Sequence, residues 1–268
     1  MKLRRKIRFL KMGRGVIYHI LIFCVLLSSS LTGCTREREQ LELMVGAAAS
    51  LEPVLKEIKA VYSEQNPDVK LCFTFAGSGT LEQQIREGAP IDVFLSASRK
   101  QIASLEEDGL IMNDSTVDLL RNELALIVPK IDQTNITSFE EVQKATVIAL
   151  GDPASVPVGQ YAMEVFENLN NWKEVKEKTT YGKDVSEVLA WVSGGNAEVG
   201  VVYVTDAMKE DTVEIVEIAP EGSHNPIIYP AAIIAETELE SQAKDFLLFL
   251  SSTEAEVIFE EYGFGIIK

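Results

Sequence analysis

Two short turns carry a hydroxyl where a strand hands over to a helix: Ala47-Ala48-Ala49-Ser50 and Gly77-Ser78-Gly79-Thr80. The first amides of a helix have no intrahelical acceptor, and the helix dipole adds about half a positive charge there, so a hydroxyl beside them completes a seat for an anion. Ser50 also reads as a plain N-cap for a helix starting near Leu51. Ser78 stands between glycines that let the backbone approach a ligand closely, with a helix beginning near Thr80 or Leu81 and Thr80 and Gln83 spaced as a capping box. The second turn is not a nucleotide P-loop, because no Lys-Ser/Thr pair follows it.

Later stretches offer further candidates. Asp152 to Gly159 follows a strand and enters a helix, with Pro157 suited to its first turn and a rigid loop as the plain reading. Asp184 and Glu187 are spaced as a capping box, which makes Asp184 a helix cap and leaves the backbone N–H of Val185 to face a site. Tyr203 ends an apolar run, where a phenol either packs in the core or buries its ring and presents its hydroxyl. His224 suggests a hydrolase base for Ser78 or Ser50, but neither serine lies in a Gly-x-Ser-x-Gly elbow. One Cys and one His in the body of the chain give no transition-metal ligand spacing.

These residues must be placed by strands and helices, and both are legible. Strand-like runs cover Leu41 to Val45, Val69 to Phe75, Ile91 to Leu95, Leu124 to Val128, Thr146 to Leu150, Val199 to Val204, Val213 to Ile218 and Ile227 to Ala235. Helical periodicity covers Leu51 to Glu64, Leu81 to Glu87, Arg99 to Asp108, Val158 to Leu169, Val185 to Val192 and Leu239 to Leu250. The alternation predicts an α/β fold with mainly parallel sheets and a ligand at the carboxyl ends of the strands. The strand Glu123 to Val128, followed by Pro129, and the strand after Pro226 that leads into Tyr229-Pro230 suggest crossings between lobes, and periodicity alone allows one domain or two.

Seven Lys and Arg residues precede an apolar run from Val16 to Leu27, which leads into Leu31-Thr32-Gly33-Cys34. The run, about 12 residues, is short of the roughly 20 a spanning helix needs, so residues 1–34 read as an export signal ending in a lipobox, with Cys34 as the lipidation site. Residues 35–40 read as a linker. Removing the signal leaves Cys72 as the one remaining thiol, read as a small buried apolar residue, so no internal disulfide can form. It also leaves 18 Lys and Arg against 41 Asp and Glu, a net charge of about −23, which argues against nucleic acid as a partner. The same charge argues only weakly against an anionic ligand, since exposed charges beyond a Debye length of roughly 8 Å are screened.

The motifs Ala47-Ala48-Ala49-Ser50-Leu51, Phe75-Ala76-Gly77-Ser78-Gly79-Thr80-Leu81, Gly88-Ala89-Pro90-Ile91-Asp92-Val93-Phe94, Gly151-Asp152-Pro153 with Val156-Pro157-Val158-Gly159, Val201-Val202-Tyr203 and Tyr262-Gly263-Phe264 occur in this order. In that order the chain resembles the molybdate-binding proteins of bacterial ABC transporters, from about Leu41 to Lys268. The resemblance implies a type II periplasmic-binding-protein fold, with lobe 1 from residues 41–124 plus 230–268 and lobe 2 from 125–229. It implies that Ser50 and Ser78 bind oxyanion oxygens from lobe 1, and that the amides of Val158 and Val185 and the hydroxyl of Tyr203 close over them from lobe 2. Members of the family vary at the position of Val158, which a backbone donor tolerates.

The same resemblance implies a monomeric receptor, not an enzyme, without a cofactor or a direct protein–metal ligand. Its ligand would be molybdate, with tungstate beside it, and its partner an ABC permease with a cytoplasmic ATPase. It would sit outside the cytoplasm on a lipid anchor. None of the five groups is a carboxylate, so a phosphate that keeps a proton near neutral pH finds no acceptor there. A receptor for sulfate or another small anion, and an extracellular serine hydrolase using Ser78 and His224, are the alternatives.

Overall fold

The computed structural model describes residues 40–130 and 135–267. The export segment expected at 1–34, its Cys34 and the expected linker up to residue 39 lie outside the described residues.

The first sheet is built around β1 (Leu41–Ala48). This strand begins exposed and ends in an unbroken buried run, because it lies inside the sheet and its C-terminal half is covered on both faces. On one side β2 (Val69–Ala76) pairs with it in parallel and forms the sheet edge. On the other, β3 (Val93–Leu95) is also parallel. Beyond β3 the sheet turns antiparallel, through β10 (Ile227–Ile233), β4 (Val117–Asn122) and β11 (Gly265–Ile266).

The second sheet runs in the order β7 (Thr179–Gly182), β6 (Ile148–Gly151), β8 (Val199–Tyr203), β5 (Leu124–Pro129), β9 (Val213–Ile218). Here β6 is parallel to β7 and β8, while β5 is antiparallel to β8 and β9. Both sheets are therefore mixed, not mainly parallel. The antiparallel pairs lie where the chain crosses from one sheet to the other, after Asn122 and again between Ile218 and Ile227, and a strand that returns this way enters from the opposite end. Leu124 stands in the second sheet and Ile227, Ile228 and Tyr229 in the first, each across the expected division.

Helices cover both sheets. In α1 (Glu52–Gln65) the buried Val54, Leu55, Ile58 and Tyr62 form one stripe, with Pro53 in the first turn, where its missing N–H costs nothing. Tyr62 meets Phe246 and Phe249 of α8 (Glu240–Leu250) edge-on, both at 5.2 Å. On the other face of the sheet, α2 (Ser78–Arg86) and α3 (Arg99–Glu107) close a smaller core in which Leu81, Ile85, Phe94, Ile102 and Leu105 are buried. The second sheet carries α4 (Pro157–Asn168), α5 (Trp172–Lys176), α6 (Val185–Ser193) and α7 (Val204–Ala207). Among the described residues no helix is long and apolar enough to cross a membrane. Trp172 stacks on Phe166, and Trp191 packs against the same core. Cys72 is half-buried on the edge strand β2, less enclosed than its sequence suggests.

Candidate functional site

The strand-to-helix turns lie at the ends of β1, β2, β6, β7 and β8. Ser50 falls in a 3-10 turn (Ala49–Leu51) whose three residues are all buried. It is not a helix cap: Ala48 and Leu51 hold the cap positions, and neither gives a side-chain cap. Its Oγ instead lies 3.1 Å from the hydroxyl of Tyr229.

Ser78 is the first residue of α2, which starts earlier than the periodicity suggests, with Gly77 as N-cap. It is fully buried, and its Oγ accepts a hydrogen bond from the Ala97 N–H at 3.0 Å. That leaves the hydroxyl proton of Ser78 to be donated elsewhere. The expected Thr80–Gln83 capping box does not form, and the Gln83 amide donates to Glu87 instead. The flanking glycines have a different use from the one expected. A Cβ on Gly77 would stand 2.7 Å from the Lys183 carbonyl oxygen and one on Gly79 2.5 Å from that of Ser155. The N–H of Gly79 donates to that Ser155 oxygen at 2.9 Å. The glycines thus admit the loops of the second sheet.

From that side, α4 begins at Pro157 with Val158 next, and α6 begins at Val185. Their leading amides have no intrahelical acceptor. Asp184 caps α6, accepting from the Glu187 N–H at 2.9 Å, while the Glu187 carboxylate accepts from the Lys183 N–H at 2.8 Å. This is the capping pattern read from the sequence, and it engages Oδ1 of Asp184. Tyr203 ends β8 with its ring edge-on to Tyr229, 5.7 Å between centroids. Its hydroxyl is buried beside that of Tyr229, with no hydrogen-bond partner of acceptable geometry among the described residues. Burial, with Tyr229 and Tyr161 adjacent, pushes the phenol far above its ordinary pKa and keeps the proton on it.

All five sequence candidates, Ser50, Ser78, Val158, Val185 and Tyr203, line one narrow cavity of about 10 Å³ between the two sheets. Such a volume is about that of one water-sized sphere, so the walls stand close together and a larger solute enters by their parting. Alanines 48, 49, 76 and 97 with Gly77, Val156, Pro157 and Asp184 make the rest of the wall, and no Lys or Arg lines it. Its polar lining is hydroxyl and amide together with the carboxylate of Asp184, whose Oδ1 accepts from the Glu187 N–H. His224 lines a separate open groove with Pro220 and Pro226, its Nδ1 2.7 Å from the Asn225 carbonyl oxygen and its ring against Tyr161. Among the described residues neither Ser50 nor Ser78 is paired with a histidine. Tyr229 and the Ala97 amide support the two serines, and no sequence signal marked either for that part.

Asp206, in α7, sits close by. Its Oδ2 is buried without a hydrogen-bond partner among the described residues, and burial raises the carboxyl well above its ordinary value of 3.8, with the backbone at Tyr203 opposing and Asp184 adding to the rise. The folded chain holds this proton more tightly than the unfolded chain, so Asp206 costs nothing below about pH 4 and destabilises increasingly as pH rises above that, until its raised pKa is passed. Asp206→Asn is therefore expected to raise Tm at pH 8 by about 3 °C or more, at roughly 2 to 4 °C per kcal/mol, and to leave it nearly unchanged at pH 4. Thermal melts at the two pH values check this, and an equal shift at both would contradict it.

A two-sheet α/β chain with a small donor-lined cavity between its sheets is built to hold a solute, and the chain belongs to the family of bacterial extracellular solute-binding proteins, whose model matches residues 43–265. It is 39% identical over 236 residues, 88% of this chain and 91% of the relative, to the provisionally named ABC transporter substrate-binding lipoprotein YvgL of Bacillus subtilis. It is 38% identical over 229 residues, 84% of this chain and 90% of the relative, to the molybdate-binding protein ModA of Haemophilus influenzae. Among solved structures, the substrate-binding domain of a provisionally assigned molybdenum ABC transporter from Clostridium difficile superposes with a TM-score of 0.66 at 40% identity, covering 85% of this chain and all of that one.

Proposed function

We propose that this chain is the extracytoplasmic receptor of an ABC transporter and captures molybdate in the cavity between its sheets. It catalyses no reaction and needs no cofactor. The observation that carries the reading is the convergence of neutral donors from both sheets on one small cavity without a cationic side chain, in a chain 38% identical to a ModA protein. Ser50 and Ser78 donate from the first sheet, and the amides of Val158 and Val185 and the hydroxyl of Tyr203 from the second. Molybdate is fully ionised near neutral pH and needs only donors, and tungstate has the same charge and shape. Each hydrogen bond to a charged group contributes about 1.5 to 3 kcal/mol, so five to seven of them, less the ordering costs, support the roughly −12 kcal/mol of a nanomolar site.

The assignment of strands to two sheets supports two lobes, close to residues 41–124 plus 230–268 and 125–229, that part to admit the anion and meet over it. We further propose a monomer anchored through lipid on Cys34, in keeping with the lipobox and with the name of the Bacillus subtilis relative.

The test is a calorimetric titration of residues 35–268 with molybdate, then sulfate, then phosphate. The expected result is one-to-one molybdate binding below about 1 μM, with sulfate at least about a hundredfold weaker, a difference near 2.7 kcal/mol. No heat with any oxyanion would contradict the reading. Ser78→Ala removes one donor to the anion and leaves the Ala97 N–H unpaired, so it should weaken molybdate by at least about tenfold. Unchanged affinity in the same titration would remove Ser78 from the site.

A further inference from the structure

A hydroxyl can both donate and accept, so two serines in a cavity do not by themselves make a site that only donates. What fixes their sense lies outside the cavity. Ser78 Oγ is met by the Ala97 N–H. Ser50 Oγ is met by the Tyr229 hydroxyl at 3.1 Å, a contact in which either atom can be the donor.

The next link bears on that sense. The side chain of Asn122, at the end of β4, has its Oδ1 2.9 Å from the Glu123 N–H, which can only donate, so Oδ1 is the acceptor and the amide NH2 is the other end. That NH2 donates to the Tyr229 hydroxyl at 3.3 Å and to Thr205 Oγ1 at 2.9 Å. With one lone pair of its oxygen receiving from Asn122, Tyr229 has a single proton to give, and we assign it to Ser50 Oγ at 3.1 Å, which leaves Ser50 its own proton facing the cavity. Tyr229 has little freedom to do otherwise: it is 1% exposed, and its ring is gripped edge-on by Tyr203 at 5.7 Å and Phe264 at 5.4 Å.

We propose that Tyr229, oriented by Asn122, is a positioning residue that locks the Ser50 hydroxyl as a donor and so excludes anions that carry a proton. The proposal rests on the oxyanion-receptor reading. It adds a source for the discrimination: the relay Asn122 to Tyr229 to Ser50 runs one way, and a protonated anion, which must itself donate, meets a proton where it needs a lone pair. Through Thr205 the same Asn122 amide also reaches α7, the helix that follows Tyr203, so the relay touches both sides of the cavity.

The test uses the full-length chain and two probes, molybdate and inorganic phosphate, titrated against the unaltered protein, Tyr229→Phe, Asn122→Asp, Ser50→Ala and the Asn122→Asp/Ser50→Ala pair. In Tyr229→Phe the Ser50 hydroxyl is free to turn, so molybdate weakens and the gap between molybdate and phosphate narrows by about tenfold, the worth of one charged hydrogen bond. Asn122→Asp keeps the shape but cannot donate to Tyr229, so the relay reverses and Ser50 presents a lone pair to the anion. Molybdate then weakens in the unaltered background at least about tenfold more than in the Ser50→Ala background, a non-additivity that a new negative charge acting at a distance would not give. Melts of the ligand-free variants control for folding, and the Asn122→Asp cycle stands by itself should Tyr229→Phe not fold. An unchanged molybdate-to-phosphate ratio in Tyr229→Phe, or equal losses from Asn122→Asp in both backgrounds, overturns the proposal while leaving the receptor reading intact. Failure of the unaltered chain to bind molybdate overturns both.

Discussion

Gly79→Ala is expected to weaken molybdate binding by about a hundredfold or more, near 2.7 kcal/mol, while the ligand-free chain stays folded. The added Cβ would lie 2.5 Å from the Ser155 oxygen and 2.9 Å from its Cα, and backbone cannot yield as a flexible side chain does. Gly79 belongs to α2 on the first sheet and Ser155 to the loop ahead of α4 on the second, so parting the two relieves the clash completely. Without ligand nothing holds them together except contacts such as the Gly79 N–H to Ser155 bond. Within α2 itself alanine is the better helix former by about 1 kcal/mol, which offsets part of any local cost. Titration paired with a thermal melt checks this: affinity lost and Tm kept is the expected pair, and near-normal affinity would mean that binding does not need this approach.

Gly159→Ala should do the opposite, lowering Tm by roughly 10 °C, the effect of about 3 kcal/mol or more in a chain of this length. Its Cβ would fall 2.0 Å from the Gly151 oxygen and 2.4 Å from the Gly151 carbonyl carbon. Both residues serve the second sheet, one at the end of β6 and the other in the first turn of α4, so no opening of the cleft separates them. The overlap must be absorbed by pushing the helix off the strand end that carries it. A fall in Tm of less than about 3 °C would show that α4 can shift at little cost. The two glycines, chemically alike, are thus separated by which surfaces they bring together.

Much of the fold could be read from the residues because its central strands are continuous apolar runs. Leu124 to Val128 and Val199 to Val202 are buried throughout, and Val213–Ile218 forms a strand over the residues expected. The elements that escaped are short or lack an apolar signal: β7 is Thr-Thr-Tyr-Gly and largely exposed, and β4 carries Asp118, Arg121 and Asn122 among its six residues. The helix Thr253–Glu261, α9, was lost to its run of glutamates, although Ala255, Ile258 and Phe259 make its buried stripe.

The candidate site was legible at its turns, since Ser50, Ser78 and the starts of α4 and α6 announce themselves as strand-to-helix junctions. The supports of those turns were not. Tyr229 lies 179 residues from Ser50 and 107 from Asn122, and no local pattern marks a pairing across such separations. The glycines of the second turn were noticed for the right property, close approach, and given the wrong neighbour, because which backbone arrives there depends on the second sheet.

The most direct test of the central claim is the anomalous scattering of molybdenum in crystals grown with molybdate. The account predicts one molybdenum peak in the cavity, its oxygens about 3 Å from Ser50 Oγ, Ser78 Oγ, the Val158 and Val185 nitrogens and Tyr203 Oη. A peak bound directly by carboxylates, a peak elsewhere on the chain, or an empty cavity in the presence of saturating molybdate would contradict it.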